Sequence, residues 1–582
     1  MAALGPTSQS QASQESRPAA SSNRVPAATT ALRHGQDLLR VGDIAGARTE
    51  FEKAVHLAPK DGEAQSALGW VLAQQHDLDA ALEHLNAAIK LKPASVEARL
   101  TRAGVLAEQG RPAEGEEDAR VAVKLAPADA DGHRVLAKIL NQRGSADESL
   151  AEMRRAVNLA PQRADLQDEL GTLLAQRNQL TEAEASFREA IRLQPDLESA
   201  HFHLGAAQLQ AQELDGAAGE LQKAISLAPQ DAAAHYYLSK TLTALQKSTD
   251  ALQELEKASE LKQNSFELQI ELGLACQHAG DAECAVRAFA QAVKLNPQDP
   301  EACNDLGLAL VDKGDAEASI PQFQKATQLR PDDGMFRGNL AIAYLQRADF
   351  DAAITELEAA IKLAPENASL HYNLGLAYKL KDQFDNAIPE LRKAIELRPD
   401  LADPHYTLAV LYWQQGEFDK ATEELRNAIR SEPNYAQAHY LLGTVLKQQG
   451  KLSDAAGELR EAIRLQPDFA GAHTTLAAIL RQLGDTQGAA EEAKTGAEIA
   501  AATNNHQAAT FATNSGKRLL GAGDLEGAIT QFRSAIQSEP NYAAAHYQLG
   551  LALQQSGKIE EAKKEFQKAG ELDSHLTAPP SQ

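Results

Sequence analysis

The sequence predicts an all-α protein, a right-handed α-solenoid (superhelix) of about sixteen 34-residue helix-turn-helix units. The first observation is a fixed period: prolines close similar phrases every 34 residues, apart from one step of 68 in which Gln263 takes the place of a proline. A recurrence this regular is the sequence signature of a repeat architecture. The phased prolines are Pro59, Pro93, Pro127, Pro161, Pro195, Pro229, Pro297, Pro331, Pro365, Pro399, Pro433 and Pro467.

The second observation is a set of small residues that keep their places within the period. With the proline numbered as position 32 of each unit, positions 8 and 20 are small and position 27 is alanine in thirteen units, from Ala54 to Ala462. Position 24 is large, as at Phe51 and Leu391. Small residues let two helix axes approach to the lower end of the usual range of about 8–10 Å, and the large residue fills the space beside them. Each unit is therefore predicted to be a pair of antiparallel helices.

The ends of the helices follow from glycine and proline. A glycine near position 15 breaks the first helix and opens the turn. The proline at position 32 lacks a backbone N–H and ends the second helix. The glycines that carry this prediction are Gly42, Gly110, Gly314, Gly416 and Gly450.

This pattern resembles the tetratricopeptide repeat (TPR) along residues 28–576. The eleventh unit, HYNLGLAY…AIPELRKAIELRP, fits especially well because Gly375, Ala387, Ala394 and Pro399 all stand in place. The array is similar to the TPR arm of O-GlcNAc transferases, but without a catalytic domain. The resemblance implies a superhelix whose concave wall is lined by the first helix of each unit.

The domain organisation follows from the register. Residues 1–27 are rich in Ala, Ser, Gln and Pro and are expected to be a disordered tail. Residues 28–503 hold fourteen units in register, of which the last is degenerate. Residues 504–508 are extra and predict a joint or an overlong helix. Residues 509–576 hold two further units, and residues 577–582 form a short tail.

Net charge and the distribution of apolar residues argue against some classes of partner. The net charge is −24, and no basic stripe is visible, so nucleic acid is not an expected partner. No apolar run reaches the length of a transmembrane segment, and no intact signal peptide is visible. The compartment stays open: cytoplasmic by default, periplasmic or secreted if a signal peptide is missing from the start. The oligomeric state stays open as well.

No catalytic residue, metal site or cofactor is predicted. The sequence contains no HExxH, GxSxG or Gly-rich nucleotide motif, and no segment remains for a catalytic domain. The cysteines Cys276, Cys284 and Cys303 are odd in number and lack a CxxC pair, so we expect small packing residues and not a disulfide framework. Eight histidines occupy position 4 and are expected to pack between units. They are His133, His201, His235, His371, His405, His439, His473 and His546.

By resemblance to the family, positions 2, 5, 6, 9, 12 and 13 face the concave groove. Aromatic residues at these positions predict binding hot spots for polypeptides, because they add large contact area at a low cost in entropy. Units eleven to thirteen concentrate such residues and are predicted to form the main site. We call this set the first groove patch: Tyr372, Asn373, Lys379, Tyr406, Trp413, Tyr440 and Lys447.

Units six and seven offer a second candidate, which we call the second groove patch: Phe202, His203, Tyr236, Tyr237 and Lys240. The alternative for both patches is that the aromatic rings pack against one another and line a wet channel. Two further candidates lie elsewhere on groove positions. Trp70 occupies position 9 of the second unit. Asn339, one unit before Asn373, would give two rungs of the asparagine ladder by which O-GlcNAc transferase arms hold peptide backbone.

The sequence thus favours a protein–protein interaction scaffold that binds polypeptide or peptide segments in the concave groove. An alternative is a non-catalytic accessory arm of a glycosyltransferase or of a secretion or envelope assembly complex. A third class is a structural spacer or self-assembling fibre. The partner itself cannot be read from the residues.

Overall fold

The computed structural model describes residues 24–576, which form helices, turns and bends without a single strand. The prediction of an all-α repeat protein is confirmed. The described residues hold 31 helices, one fewer than sixteen pairs would give, because two consecutive helices are fused into one. The chain divides into two compact units, which part between Leu295 and Asn296.

The first compact unit consists of sixteen helices in sequential pairs. They are α1 (Arg24–Arg40), α2 (Ile44–Leu57), α3 (Gly62–Gln74), α4 (Leu78–Leu91), α5 (Val96–Glu108), α6 (Pro112–Leu125), α7 (Ala130–Gln142), α8 (Ala146–Leu159), α9 (Ala164–Gln176), α10 (Leu180–Leu193), α11 (Glu198–Gln210), α12 (Leu214–Leu227), α13 (Ala232–Ala244), α14 (Ser248–Leu261), α15 (Phe266–Ala279) and α16 (Ala282–Leu295).

The second compact unit consists of fifteen helices. They are α17 (Pro300–Asp312), α18 (Ala316–Leu329), α19 (Gly334–Gln346), α20 (Phe350–Leu363), α21 (Ala368–Leu380), α22 (Phe384–Leu397), α23 (Ala402–Gln414), α24 (Phe418–Ser431), α25 (Ala436–Gln448), α26 (Leu452–Leu465), α27 (Ala470–Leu483), α28 (Thr486–Gly521), α29 (Leu525–Ser538), α30 (Ala543–Gln555) and α31 (Ile559–Leu572).

Small residues allow the two helices of each repeat to approach closely, as predicted. A Cβ atom added at Gly375 on α21 would lie 2.8 Å from Cγ of Leu391 on α22, so only glycine allows this approach. Ala394, at position 27 on α22, is fully buried. The large residue at position 24 fills the core, and the largest fully buried side chains are Phe51, Phe187, Phe289, Phe323 and Phe532.

The turn at position 15 takes a left-handed backbone conformation whatever residue stands there. Gly314 has φ +86°, as the role of glycine predicts. In units without the glycine, other residues adopt the same conformation: Ala348 has φ +58° and Asp382 has φ +57°. Packing of the two helices therefore enforces the turn even where the side chain disfavours it.

One helix boundary differs from the predicted domain limits. Helix α1 begins at Arg24, so residues 24–27 are helical and do not belong to a tail. Pro26 is tolerated because it lies in the first turn, where backbone N–H groups have no intrahelical partner. Residues 1–23 and 577–582 lie outside the described range.

Helix α28 runs for 36 residues and includes residues 504–508. Of the two predicted conformations for this segment, a joint or an overlong helix, the structure has the overlong helix. Ala501 stands where twelve of the thirteen preceding units carry the proline that ends the second helix, and no glycine or proline follows until Gly516. The first helix of the next unit therefore continues from the last one without a turn.

Two cysteines correct the sequence-based expectation. Cys276 on α15 and Cys284 on α16 form a disulfide, with their Cα atoms 5.7 Å apart. The hairpin places position 11 of the first helix opposite position 19 of the second, a pairing that cysteine count and spacing do not reveal. Cys303 is buried and free. None of the helices between Arg24 and Leu572 combines the length and hydropathy needed to cross a bilayer.

Candidate functional site

The position-4 histidines are buried and join neighbouring repeats through hydrogen bonds, a contact that we call the histidine clasp. His371 Nδ1 is 2.7 Å from Glu390 Oε2 in its own repeat, and Nε2 is 3.0 Å from the carbonyl oxygen of Pro365 in the preceding repeat. All eight histidines make this same pair of contacts. Since both partners are acceptors, both bonds form together only when both ring nitrogens carry a proton. Their place in the structure is that of packing residues.

A ladder of side-chain contacts links the first helices of successive repeats. Position 5 of one repeat meets position 6 of the next, at a sequence separation of 35 residues. Examples are Arg134 with Glu169, Tyr236 with Glu271, and Asn339 with Asn304. A groove residue is therefore open to a ligand only where its partner on the ladder leaves it free.

The first groove patch lies on three first helices, α21, α23 and α25. The rings of Tyr372, Tyr406 and Tyr440 are half-buried and pack against the core of their repeats. Tyr406 lies 5.1 Å from the ring of Tyr435, and Tyr440 lies 4.6 Å from that of Phe469. Burial raises the pKa of Tyr372 and of Tyr406. The three tyrosines thus present a fixed aromatic row, with one side of each ring held by the protein.

Cations and a tryptophan form a second row on the same helices. Lys379, Trp413 and Lys447 occupy position 12 of consecutive repeats, and all three are half-buried. Position 12 follows position 5 by seven residues, so the two rows lie on one face of each helix, about two turns apart. Among residues 24–576, neither lysine has an ion-pair or hydrogen-bond partner. Burial alone lowers the pKa of Lys379.

The second groove patch lies on α11 and α13, and its side chains are engaged with each other. Phe202 makes an edge-to-face contact with Tyr237 at 5.3 Å, and Tyr236 makes another with Tyr237 at 5.8 Å. His203 Nδ1 lies 2.8 Å from Oδ1 of the buried Asp168. These contacts are those of the alternative interpretation, in which aromatic residues of the groove pack against one another.

Lys240 completes the second groove patch through a polar chain. Its Nζ donates to the Tyr236 hydroxyl at 2.9 Å, and this hydroxyl donates to Glu271 Oε1 at 2.9 Å. The ammonium also lies 4.8 Å from the centre of the Tyr236 ring. The hydrogen bond that Lys240 donates to Tyr236 is the main cause that raises the pKa of Lys240, and the nearby negative charge of Glu271 adds to it. The lysine is thus satisfied within the protein.

Cavities accompany the second groove patch. One of about 770 Å³ is lined by His203, Tyr236, Tyr237 and Lys240. Another, of about 540 Å³, lies beyond Lys240 and has mostly apolar walls, among them the exposed Leu274. Sequence reasoning missed the residues that shape this region, Asp168, Glu271 and Leu274. The separation of 35 residues between ladder partners is the signal that could have found the first two.

The two remaining candidates do not join either patch. Trp70 on α3 is half-buried and packs against the core of the first repeats. The amide nitrogen of Asn339 donates to Asn304 Oδ1 at 2.8 Å, so it already serves the ladder. Asn373 is half-buried on α21 beside Tyr372. Trp70 thus belongs to the packing of its own repeats, and Asn339 is already hydrogen-bonded within the ladder.

Comparison with protein-family models finds repeats along most of the chain. Models described as tetratricopeptide repeat match residues 32–96, 72–139, 270–334, 406–468, 440–506 and 543–576. A model described as TPR repeat matches residues 171–212, 343–382, 378–416 and 516–557. Together these matches cover well over half of the sequence. A search of curated proteins finds no match.

Solved structures of repeat proteins resemble parts of the chain. MamA 41-end from Desulfovibrio magneticus RS-1 is 26% identical over 29% of this chain and 96% of its own, with a TM-score of 0.28. A chain of the APC/C hetero-tetramer Cut9–Hcn1 is 15% identical over 90% of this chain and 96% of its own, with a TM-score of 0.34. Yeast Tom70 is 18% identical over 72% of this chain and 96% of its own, with a TM-score of 0.30. All three TM-scores are low, and the sequence models carry the family relationship.

Proposed function

The chain belongs to the tetratricopeptide-repeat family, and we propose that it is a non-catalytic scaffold that holds an extended polypeptide segment across the first groove patch. The repeats support a general role in protein interaction. The proposal adds a place, the surface of α21, α23 and α25, and a chemistry, a segment that combines a carboxylate with aromatic or aliphatic side chains.

The unpaired cations of the first groove patch carry this proposal. The protein has a net charge of −24, so acidic side chains are in excess, yet Lys379 and Lys447 have no partner among the described residues. A half-buried ammonium without a partner costs free energy, because burial removes water from the charge. The lowered pKa of Lys379 reflects this cost. A carboxylate from a ligand would remove that cost. Trp413, between the two lysines, offers a flat apolar surface at the same level.

The aromatic row supplies the apolar half of the recognition. Tyr372, Tyr406 and Tyr440 pack against the core, and Tyr406 and Tyr440 also contact neighbouring rings. A ligand that covers their other side therefore gains contact area with little loss of side-chain entropy. Neighbouring first helices lie about 10 Å apart, so a segment of roughly nine extended residues spans all three.

The first groove patch is favoured over the second because its two lysines have no partner among the described residues. Lys240, Tyr236 and Glu271 satisfy one another in the second groove patch, and a ligand there would have to break those hydrogen bonds. A ligand gains little by breaking these bonds unless it replaces them with its own.

Affinity capture tests the scaffold function. The immobilised protein is compared with a Tyr406→Ala/Trp413→Ala double variant and with a matched Phe202→Ala/Tyr236→Ala variant of the second groove patch. Proteins captured from an extract of the source organism are identified by mass spectrometry. We expect a partner that the wild type and the second-patch variant retain and that the first-patch variant loses. Retention by both variants would place the site elsewhere, and no capture by any of them would favour a structural spacer.

Labelled peptides test the chemistry of the ligand separately. Probes of about nine residues share a Leu/Phe pattern and differ only in carrying Glu, Gln or Lys at the polar positions. Fluorescence anisotropy should show the Glu peptide binding the wild type about tenfold tighter than the Gln peptide, with that advantage lost in Lys379→Gln/Lys447→Gln. Equal binding of the Glu and Gln peptides would remove the carboxylate from the proposal and leave the scaffold role standing.

A further inference from the structure

Three side chains with metal-binding atoms converge at the junction of the seventh and eighth repeats, outside both groove patches. Glu256 on α14, Cys276 on α15 and Cys284 on α16 place their carboxylate oxygen and sulfur atoms within 4.8 Å of one another. Both cysteines are buried, and Glu256 is half-buried. Cys284 Sγ lies 3.7 Å from Glu256 Oε1. In the structure the two sulfurs are joined as a disulfide.

Comparison with the other repeats shows that this cluster is a departure from the pattern. Position 25 of one repeat normally faces position 11 of the next. Where position 11 is tyrosine, the two positions share a hydrogen bond: the Tyr378 hydroxyl donates to Glu358 at 2.8 Å, and Arg392 donates to the Tyr412 hydroxyl at 2.6 Å. In the eighth repeat Cys276 occupies position 11, so Glu256 meets sulfur instead of a hydroxyl.

Glu256 is also without a positive partner. Within the described part of the chain it makes no ion pair, and its one side-chain polar contact is with Cys284. A carboxylate that is partly removed from water and faces two sulfurs is a third ligand that needs no rearrangement of the backbone. Beside it lies a cavity of about 540 Å³, which both Glu256 and Cys284 line.

We propose that reduction of the Cys276–Cys284 disulfide opens a three-ligand site for a zinc ion, formed by the two thiolates and the Glu256 carboxylate. A dithiol reductant supplies two electrons and two protons, the S–S bond breaks, two thiols form, and the reductant becomes a disulfide. Zinc then displaces the two thiol protons, which leave to solvent. The fourth position of the tetrahedron takes a water molecule from the adjoining cavity.

The geometry of the hairpin suits this exchange. Two thiolates on a tetrahedral zinc, each at about 2.3 Å, lie roughly 3.7 Å from each other. The Cα atoms of Cys276 and Cys284 are 5.7 Å apart on antiparallel helices, so rotation of the two side chains provides that separation. Thiolate and carboxylate ligands together match a borderline-soft divalent ion better than magnesium or calcium, which prefer oxygen alone.

Cobalt is the probe, because thiolate ligation of Co²⁺ gives an intense near-ultraviolet charge-transfer band. The full-length protein is reduced, freed of reductant under nitrogen and titrated with Co²⁺, and Zn²⁺ is then added to displace it. We expect the band to saturate at one ion per chain in the reduced protein. The oxidised protein should show none. Absence of the band in the reduced wild type would overturn the proposal.

Three variants assign the ligands. Cys303→Ser keeps both proposed thiolates and should bind like the wild type, whereas Cys276→Ser should lose affinity by at least about 100-fold. Glu256→Gln should retain a thiolate band but bind about 10–100-fold more weakly. Unchanged binding in Cys276→Ser or in Glu256→Gln would contradict the ligand set. Circular dichroism of each variant separates loss of the site from loss of the fold.

Discussion

The two groove patches are built on the same framework and differ in what their side chains already bind. Both use positions 5 and 6 of first helices, and both stand on repeats clasped by histidine, as at His235 and His405. In the second groove patch Lys240 is paired with Tyr236, whereas in the first Lys379 has no partner among the described residues. Repeat position therefore decides where a side chain lies, and the neighbouring repeat decides whether it is free to bind a ligand.

The largest expected effect tests whether the two groove patches stand on the same framework of packed helices. Gly205→Leu and Gly375→Leu change position 8 beneath the second and the first groove patch. An added Cβ would meet Leu221 Cγ at 2.7 Å and Leu391 Cγ at 2.8 Å, respectively, so the helices must part. Each variant should lose about 1–3 kcal/mol or more of unfolding free energy in urea.

Gly457→Ala is the control for that pair, because a Cβ there meets nothing within 4 Å. Alanine should stabilise the helix by about 0.5–1 kcal/mol at this position. Unchanged stability of Gly375→Leu would contradict the register itself, and a loss confined to one of the two leucine variants would show that the frameworks differ.

The histidine clasp gives the next largest effect. His235→Leu and His405→Leu each leave a proline carbonyl and a glutamate without their bonds, at a cost of about 1–3 kcal/mol. Glutamine should recover part of the loss, since Gln65 donates to the Pro59 carbonyl at 3.0 Å in the second repeat. Urea unfolding followed by circular dichroism measures the series. An equally stable leucine variant would reduce the clasp to space filling.

The fold could be predicted because each structural requirement recurs in every unit. Gly375 and Ala394 repeat a pattern of small residues that only closely packed helices need. The fused helix α28 could be foreseen only as one of two alternatives, because the missing proline at Ala501 removes a stop without specifying the conformation of residues 502–508. Local sequence thus specifies the helices well and their exceptions less well.

The site could be predicted only in part, because its chemistry depends on contacts between repeats. The aromatic residues of both patches could be located from their positions. Tyr236 is hydrogen-bonded to Glu271, whereas Lys379 has no partner among the described residues. This difference depends on side chains a full repeat away. The disulfide was missed for a different reason: Cys276 and Cys284 meet across the hairpin of a single repeat, and their spacing of eight residues is no known motif.

Removing single hydroxyl groups sharpens the comparison with a smaller effect. Tyr236→Phe loses the bonds to Lys240 and Glu271 and should destabilise the protein by about 0.5–1.5 kcal/mol. Tyr440→Phe should change stability little, because the Tyr440 hydroxyl has no hydrogen bond to any described residue. Urea midpoints of the two variants check this difference. Equal losses would mean that the first groove patch is as tightly connected as the second.

The smallest expected effect concerns the charges of Lys240 and Lys379, which contribute to the stability of the fold with opposite signs. The pKa of Lys240 is raised above its ordinary 10.5, so the folded protein favours its charge. That contribution is present in full below pH 10.5 and is lost as pH rises through the folded pKa. The pKa of Lys379 is lowered, so its charge costs stability below the folded pKa, and the cost disappears as pH rises from there towards 10.5.

Methionine at each position removes the charge and keeps the length of the side chain. Near neutral pH, Lys240→Met should therefore lower the urea midpoint, while Lys379→Met should leave it unchanged or raise it. Between the folded pKa of Lys379 and 10.5, the advantage of Lys379→Met should fade. A lower midpoint for Lys379→Met near neutral pH would mean that the ammonium already has a favourable partner, and the first groove patch would then lose its distinction as the surface with unmet charge. The opposite signs, if measured, show that Lys379 is held at a cost to stability, which is the condition expected of a residue whose partner arrives with the ligand.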